Sequence, residues 1–256
     1  KTLKNLKCII SLGSGIDHIL CDPDLPKDVP IIKTTGEDLK IRMREYVVLH
    51  VLKHHRNLSA VIEARNTNQW KQIIEPPANK RMIGIMGLGN LGLDCAITLK
   101  NLGFKVNGWS SSKKNIDGIN TFTGKEELTK FLKQIDILVC MLPLTPKTKG
   151  ILNLELFNNV EKEFCLINVA RGEHLVDKDL LTALENKIIK EATLDVFHIE
   201  PLPLKHPFWE NSKIFITPHI ASLLDPVAGG KEIAKNINDF LNGKKVENLI
   251  PPGKGY

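Results

Sequence analysis

Aromatic residues make up only 5% of the 256 residues, and just six of the 35 cationic side chains are arginines. A net charge of +6 could suit a nucleic-acid partner. Such surfaces, however, gather their cations into a stripe with interleaved aromatics, and here the lysines are scattered along the chain. Nucleic-acid binding is set aside, and the lysines read as a solvated surface that attracts anionic ligands. Cysteine is also scarce. Cys8, Cys21, Cys95, Cys140 and Cys165 contain no C-x-x-C spacing, which sets aside a disulfide framework and a metal site. Cys8, Cys140 and Cys165 lie in apolar runs and are expected to be buried, reduced thiols of a cytoplasmic protein. No apolar run is long enough to span a bilayer and no signal peptide is recognisable, so no membrane partner is expected.

What the chain does have, from residue 82 onward, is alternation. Short apolar runs at 82–86, 104–109, 136–140, 164–169, 192–197 and 213–217 are separated by segments of helical periodicity at 91–102, 125–132 and 177–187. Nearly continuous apolar strands are those covered on both faces. Strand alternating with helix predicts a six-stranded, doubly wound parallel sheet of the Rossmann kind. Residues 1–42 read differently, as part of a second domain, and 43–70 as one long amphipathic helix broken near Leu58 that links the two. The apolar face of residues 43–57 exceeds what one partial domain can cover, which predicts a homodimer.

Within this frame "MIGIMGLGNLG" is informative. Gly87-Leu88-Gly89-Asn90-Leu91-Gly92 follows an expected strand and opens an expected helix, the context in which G-x-G-x-x-G binds a dinucleotide. The first glycine permits the tight turn, the second lets the pyrophosphate approach, and the third lets helix and strand pack. Free N–H groups at the helix start suit the pyrophosphate. The next strand ends "GWSSSKK", without the acidic residue that bonds the ribose of NAD. Ser110, Ser111, Ser112, Lys113 and Lys114 offer hydroxyls and positive charge, which favours NADP(H) over NAD(H). Three further strands end near Arg171, Glu200 and His219, so an arginine, a carboxylate and an imidazole reach the edge that carries the glycine turn. Ligands of such sheets bind at that edge.

The motifs "GLGNLG", "LINVARGEHLVD", "LDVFHIEPLP" and "TPHIAS" resemble, in that order, the D-isomer-specific 2-hydroxyacid dehydrogenases. "GWSSSKK", "MREYVVLHVLKHHR", "LPLTPKTKGILN" and the final "KGY" resemble the glyoxylate/hydroxypyruvate reductase A branch of that family. The resemblance implies two Rossmann-like domains with the active site in the cleft between them. Residues 43–224 would be the dinucleotide-binding domain. Residues 1–42, with 225–256 returning to them, would be an N-terminally truncated, flavodoxin-like α/β substrate (lid) domain. It further implies NADPH-dependent reduction of a small 2-oxoacid, glyoxylate to glycolate or hydroxypyruvate to glycerate. Arg171 would bind the carboxylate and carbonyl, His219 would act as the general acid, and Glu200 would hold the imidazole and favour its protonated form. Gly13, Ser14 and Gly15 would hold the substrate carboxylate through backbone amides. Leu142, Pro143 and Thr148 would line the adenosine and phosphate side, Ala170 would join the cofactor set, and Asp195 would face the nicotinamide amide. Two positions depart from the branch: Ser111 and Asp225 stand where arginine is expected. The alternative within the same fold is an inactive or cofactor-sensing NAD(P)-binding protein.

Overall fold

Ile9–Ser11 (β1) and Ile31–Lys33 (β2) pair in parallel, and the closing strand Leu249–Ile250 joins β2 antiparallel. They belong to a computed structural model that describes residue 3 and residues 5–253. Lys1, Thr2, Lys4 and the final Lys254-Gly255-Tyr256 motif lie outside the described residues. Short helix α1 (Asp17–Leu20) follows β1, and α2 (Glu37–His55) follows β2. Lys1–Arg42 with Ser222–Tyr256 form one compact unit and Met43–Ala221 another, the boundary falling inside α2. In the smaller unit the returning segment is tied to the start of α2. Glu232 accepts hydrogen bonds from the backbone N–H groups of Thr35 and Gly36, both at 3.0 Å. The Ser222 hydroxyl donates to Leu39 O at 2.8 Å, and the Asp225 N–H donates to Asp38 at 3.3 Å. A carboxylate on the free N–H groups before a helix satisfies donors that the helix itself leaves open.

Helix α2 starts at Glu37, six residues before the expected Met43, and ends at His55. Asn57 takes a left-handed φ of 51°, which stops the helix, and α3 (Leu58–Asn66) restarts it. This is the break expected near Leu58. Met43, Val47 and Val51 recur at four-residue spacing and are all buried, so this face of α2 belongs to the core.

The larger unit carries a sheet of seven strands, all in parallel pairing: β3 (Met82–Met86), β4 (Lys105–Ser110), β5 (Asn120–Thr123), β6 (Ile137–Cys140), β7 (Phe164–Asn168), β8 (Ile189–Leu194) and β9 (Ile214–Ile216). The doubly wound parallel class stands, with seven strands in place of six. The added strand, β5, is a polar edge strand (Asn-Thr-Phe-Thr) against β4, and carries no apolar run to announce it. Along β6 and β7 alternate residues bury on opposite faces. Leu138, Cys140, Phe164 and Leu166 join one apolar cluster, while Ile137, Val139, Cys165 and Ile167 join the other. Burial on both sides is why these strands read as unbroken apolar runs. Cys95 is buried with Cys140 and Cys165, whereas Cys8 is only half-buried, contrary to expectation, and Cys21 is exposed. Helices α4 (Asn90–Asn101), α5 (Leu128–Leu132), α6 (Leu154–Phe157) and α7 (Asp177–Glu185) complete the unit. The strand order β5-β4-β3-β6-β7-β8-β9 reverses direction between β3 and β6. At such a switch point the loops after the two strands part and leave a crevice for a ligand.

Candidate active site

The glycine turn follows β3 at that switch point. Gly87 has φ +105°, and a Cβ on it would run into the carbonyl of Met141. A Cβ on Gly92 would collide with the Gly87 carbonyl, so only glycine lets α4 approach the turn. Gly89 differs, because a Cβ there would meet nothing within 4 Å. It caps α4 without a side chain, leaving the first-turn N–H groups facing open space beside exposed Asn90 and half-buried Leu91. A helix N-terminus of this kind can hold an anion such as a pyrophosphate.

At the end of β4 the buried Ser110 hydroxyl donates to Ser112 O at 2.7 Å, within its own loop. Ser111, Ser112 and Lys113 are exposed, and the first acidic residue, Asp117, is engaged by Lys100 at 3.1 Å. The loop thus presents hydroxyls and cationic charge, and its first carboxylate, on Asp117, is paired with Lys100. Beyond β6, Leu142 is buried in the core and Pro143 is exposed. The Thr148 hydroxyl accepts from Thr145 N at 2.9 Å and donates to Pro143 O at 2.7 Å, so its hydrogen bonds shape the loop itself.

Arg171 follows β7 in extended conformation, and one of its guanidinium N–H groups donates to Ala170 O at 2.7 Å. Asn168, fully buried, braces the turn: its amide donates to Arg171 O at 3.0 Å and accepts from Ala170 N at 3.2 Å. His174, also fully buried, places Nδ1 3.2 Å from Arg171 O and Nε2 3.2 Å from Pro143 O. It therefore joins the arginine loop to the loop after β6. Burial pushes its pKa down. Neither Asn168 nor His174 is legible as a site residue in the sequence, although "N-x-x-R-x-x-H" puts all three polar groups at three-residue spacing.

Glu200 and His219 come together. The Glu200 carboxylate accepts the Phe197 N–H at 2.9 Å on one oxygen, and its other oxygen lies 2.7 Å from His219 Nδ1. A carboxylate can only accept, so Nδ1 carries the proton and Nε2 faces away from the pair. The imidazole is 49% exposed, open to a small solute. The strand before Glu200 ends at Leu194 rather than at Phe197, and Asp195 is drawn under the loop that follows β9. Only 1% exposed, its carboxylate accepts from Thr217 Oγ1 (2.6 Å), Ile220 N (2.8 Å) and Ala221 N (2.9 Å). Burial works to raise its pKa against these bonds. Gly13, Ser14 and Gly15 lie in the smaller unit, in the turn after β1, where the Ser11 hydroxyl faces the carbonyls of Gly13 (3.0 Å) and Gly15 (3.1 Å). Asp225 is the N-cap of the helix Pro226–Leu241, accepting from Val227 N (2.9 Å) and Ala228 N (2.8 Å), which accounts locally for an acidic residue there. Among the described residues no group of His, Cys, Asp and Glu side chains is arranged to hold a metal, and no helix is long and apolar enough to cross a membrane.

Residues 48–221 match the family described as "D-isomer specific 2-hydroxyacid dehydrogenase, NAD binding domain". The chain is 37% identical over 256 residues to glyoxylate/hydroxypyruvate reductase A of Yersinia enterocolitica and 39% identical over 256 residues to that of Serratia proteamaculans. In each case 98% of this chain aligns with 82% of the relative. Among solved structures it superposes with TM-score 0.94 on a D-isomer specific 2-hydroxyacid dehydrogenase from Xanthobacter autotrophicus in complex with NADPH and MES. That protein is 38% identical, with 99% of this chain and 80% of that one covered. A second, also at TM-score 0.94, is the NADPH-dependent glyoxylate/hydroxypyruvate reductase from Sinorhizobium meliloti in complex with NADP and sulfate. It is 37% identical, with 98% and 80% covered.

Proposed function

The chain belongs to the D-isomer-specific 2-hydroxyacid dehydrogenase family, and from that premise we propose that it reduces small 2-oxoacids, glyoxylate and hydroxypyruvate first among them, with NADPH as reductant. The observation that carries this reading is the 2.7 Å contact between Glu200 and His219 Nδ1, which leaves Nε2 as the group that meets substrate.

The residues at the sheet edge fit the cofactor. First-turn N–H groups of α4, reached over Gly89, would hold the pyrophosphate. Ser111, Ser112 and Lys113 would take the extra phosphate of NADPH, since no carboxylate stands there to repel it. Pro143 and Thr148 flank the adenosine side. The role of Asp195 toward the nicotinamide amide rests on the resemblance, because its carboxylate hydrogen bonds serve the loop after β9. When bound, NADPH supplies a hydride to the carbonyl carbon. Arg171 holds the substrate carboxylate with its planar fork. His219 Nε2 gives a proton to the carbonyl oxygen as the C=O bond becomes C–O–H. Glu200 keeps Nδ1 protonated and the ring in place throughout. Proton delivery leaves the half-exposed ring neutral until it regains a proton from water, so the net products are a 2-hydroxyacid and the oxidised cofactor.

Arg171→Met tests the assignment: KM for glyoxylate should rise on the order of 100-fold, with NADPH affinity retained. An unchanged KM would remove Arg171 from the substrate site. The free thiols of Cys95, Cys140 and Cys165, buried and pushed up to about 12, support a reducing compartment such as the cytoplasm. A homodimer is supported by α2 and α3. Leu49 is 60% exposed, and Leu58, Val61 and Ile62, one stripe at three- and four-residue spacing, are exposed as well. Trp70 and Ile74, in the segment after α3, are 97% and 95% exposed. Sedimentation equilibrium should give twice the chain mass, and a monomer at every concentration would contradict this.

A further inference from the structure

His219 stands in a conformation that a non-glycine residue rarely takes, with φ +54°. Something must hold it there. Loop 217–221 is wrapped around one residue: the backbone carbonyl of Asp195 accepts the His219 N–H at 2.9 Å. The Asp195 carboxylate meanwhile accepts from Thr217 Oγ1, Ile220 N and Ala221 N. Two of those donors are backbone N–H groups, so the carboxylate is oriented as an acceptor. The Thr217 hydroxyl hydrogen is thereby committed to Asp195. Thr217 Oγ1 also lies 2.6 Å from the hydroxyl of Tyr46, a buried residue of α2. With Thr217 already donating, Tyr46 must be the donor in that second bond. The result is a one-way chain from Tyr46 to Thr217 to Asp195, ending on the backbone that carries His219. Tyr46 is fixed in turn by the ring of His50, 4.2 Å away, which packs on Phe215 of β9 at 5.4 Å.

We propose that Tyr46 and Thr217 are positioning residues for His219, acting through Asp195. Neither faces the substrate; together they fix the loop so that the imidazole meets Glu200 and the carbonyl oxygen in one geometry. This rests on the reading of His219 as the acid. In a buried site each bond of such a chain polarises the next, so removing one weakens the others.

The test compares Tyr46→Phe, Thr217→Val and Thr217→Ser in the full chain, with His219→Ala as control. Tyr46→Phe keeps the packed ring and should lower kcat roughly three-fold, and Thr217→Val roughly ten-fold. Glyoxylate KM and NADPH Kd should stay within about two-fold of the parent, and Thr217→Ser should restore kcat. The solvent deuterium isotope effect on kcat should rise in Tyr46→Phe, because a displaced imidazole makes proton delivery slower; general loosening of the fold would not produce that. Unchanged kcat in both Tyr46→Phe and Thr217→Val, or KM and Kd rising in step with the loss, overturns the proposal. Should Thr217→Val fail to fold, Tyr46→Phe and its isotope effect still decide. If His219→Ala turns over normally, the acid assignment itself is at fault. If His219→Ala is inactive while the other variants match the parent, only the positioning role falls.

Discussion

Helix α2 and the loop after β9 both carry histidine and treat it in opposite ways. His50, His54 and His55 on α2 are buried, and burial lowers the pKa of each. His219 is half-exposed and has a carboxylate at 2.7 Å. At the joint of α2 and α3, Glu191 resolves the same tension from the acid side. Burial works against its charge, but His54 Nδ1 at 3.4 Å, a hydrogen bond from Ser59 at 2.8 Å and Lys53 at 3.3 Å hold its pKa down at about 2. Histidine content therefore does not mark a reactive site. Access and a bonded partner do, and the packing against α2 makes its histidines part of the core.

The largest effect is expected at His219. His219→Ala should lower kcat by roughly 10²–10⁴-fold while NADPH binding, read by fluorescence titration, is unchanged; equal loss of both would place His219 among the cofactor-holding residues. Glu200→Gln keeps the shape but removes the charge, and should cost roughly 10- to 100-fold in kcat. A wild-type rate from that variant would detach the carboxylate from the chemistry.

The buried side predicts a stability effect. In the folded chain His50 is held at about 4, against an ordinary 6.5, first by burial and then by neighbouring His54 and Lys53. The unfolded chain takes up that proton sooner, so the contribution is complete above about pH 6.5 and is lost as the pH falls toward 4. Urea unfolding at pH 7 and pH 5 should differ by on the order of 2 kcal/mol from this source. His50→Leu should flatten the slope, and an unchanged slope would contradict the assignment. The smallest effect is expected from His55→Leu, whose ring packs edge-on to Phe104 at 5.0 Å. Its kcat should stay within about two-fold of the parent, with stability altered by about 1 kcal/mol.

Legibility in the sequence follows the same division. Gly87 and Gly92 could be read because a left-handed turn and a close helix approach admit almost no other residue. The apolar strands could be read because both their faces are buried. β5 could not, since Asn120, Thr121 and Thr123 are an edge strand's residues and look like loop. The end of β8 was displaced by Asp195, an acidic residue inside an apolar run whose purpose is to gather loop 217–221. Arg171, Glu200 and His219 stood out as candidates because each follows a strand end. Tyr46 and His174 did not, because partners of theirs are set by the folded chain: Tyr46 and Thr217 are 171 residues apart in sequence, and His174 and Pro143 are 31 apart. Sequence pattern reports what a residue must be for its own backbone, and says little about contacts that tertiary folding creates.

The most direct measurement follows oxidation of NADPH and of NADH by this chain, with glyoxylate and with hydroxypyruvate, under matched conditions. The predicted result is turnover of both acids with kcat/KM clearly higher for NADPH. Turnover with NADH alone would contradict the role of Ser111, Ser112 and Lys113. Tight NADPH binding with no oxidation by either acid would contradict the central claim that His219 and Arg171 form a working reductase site.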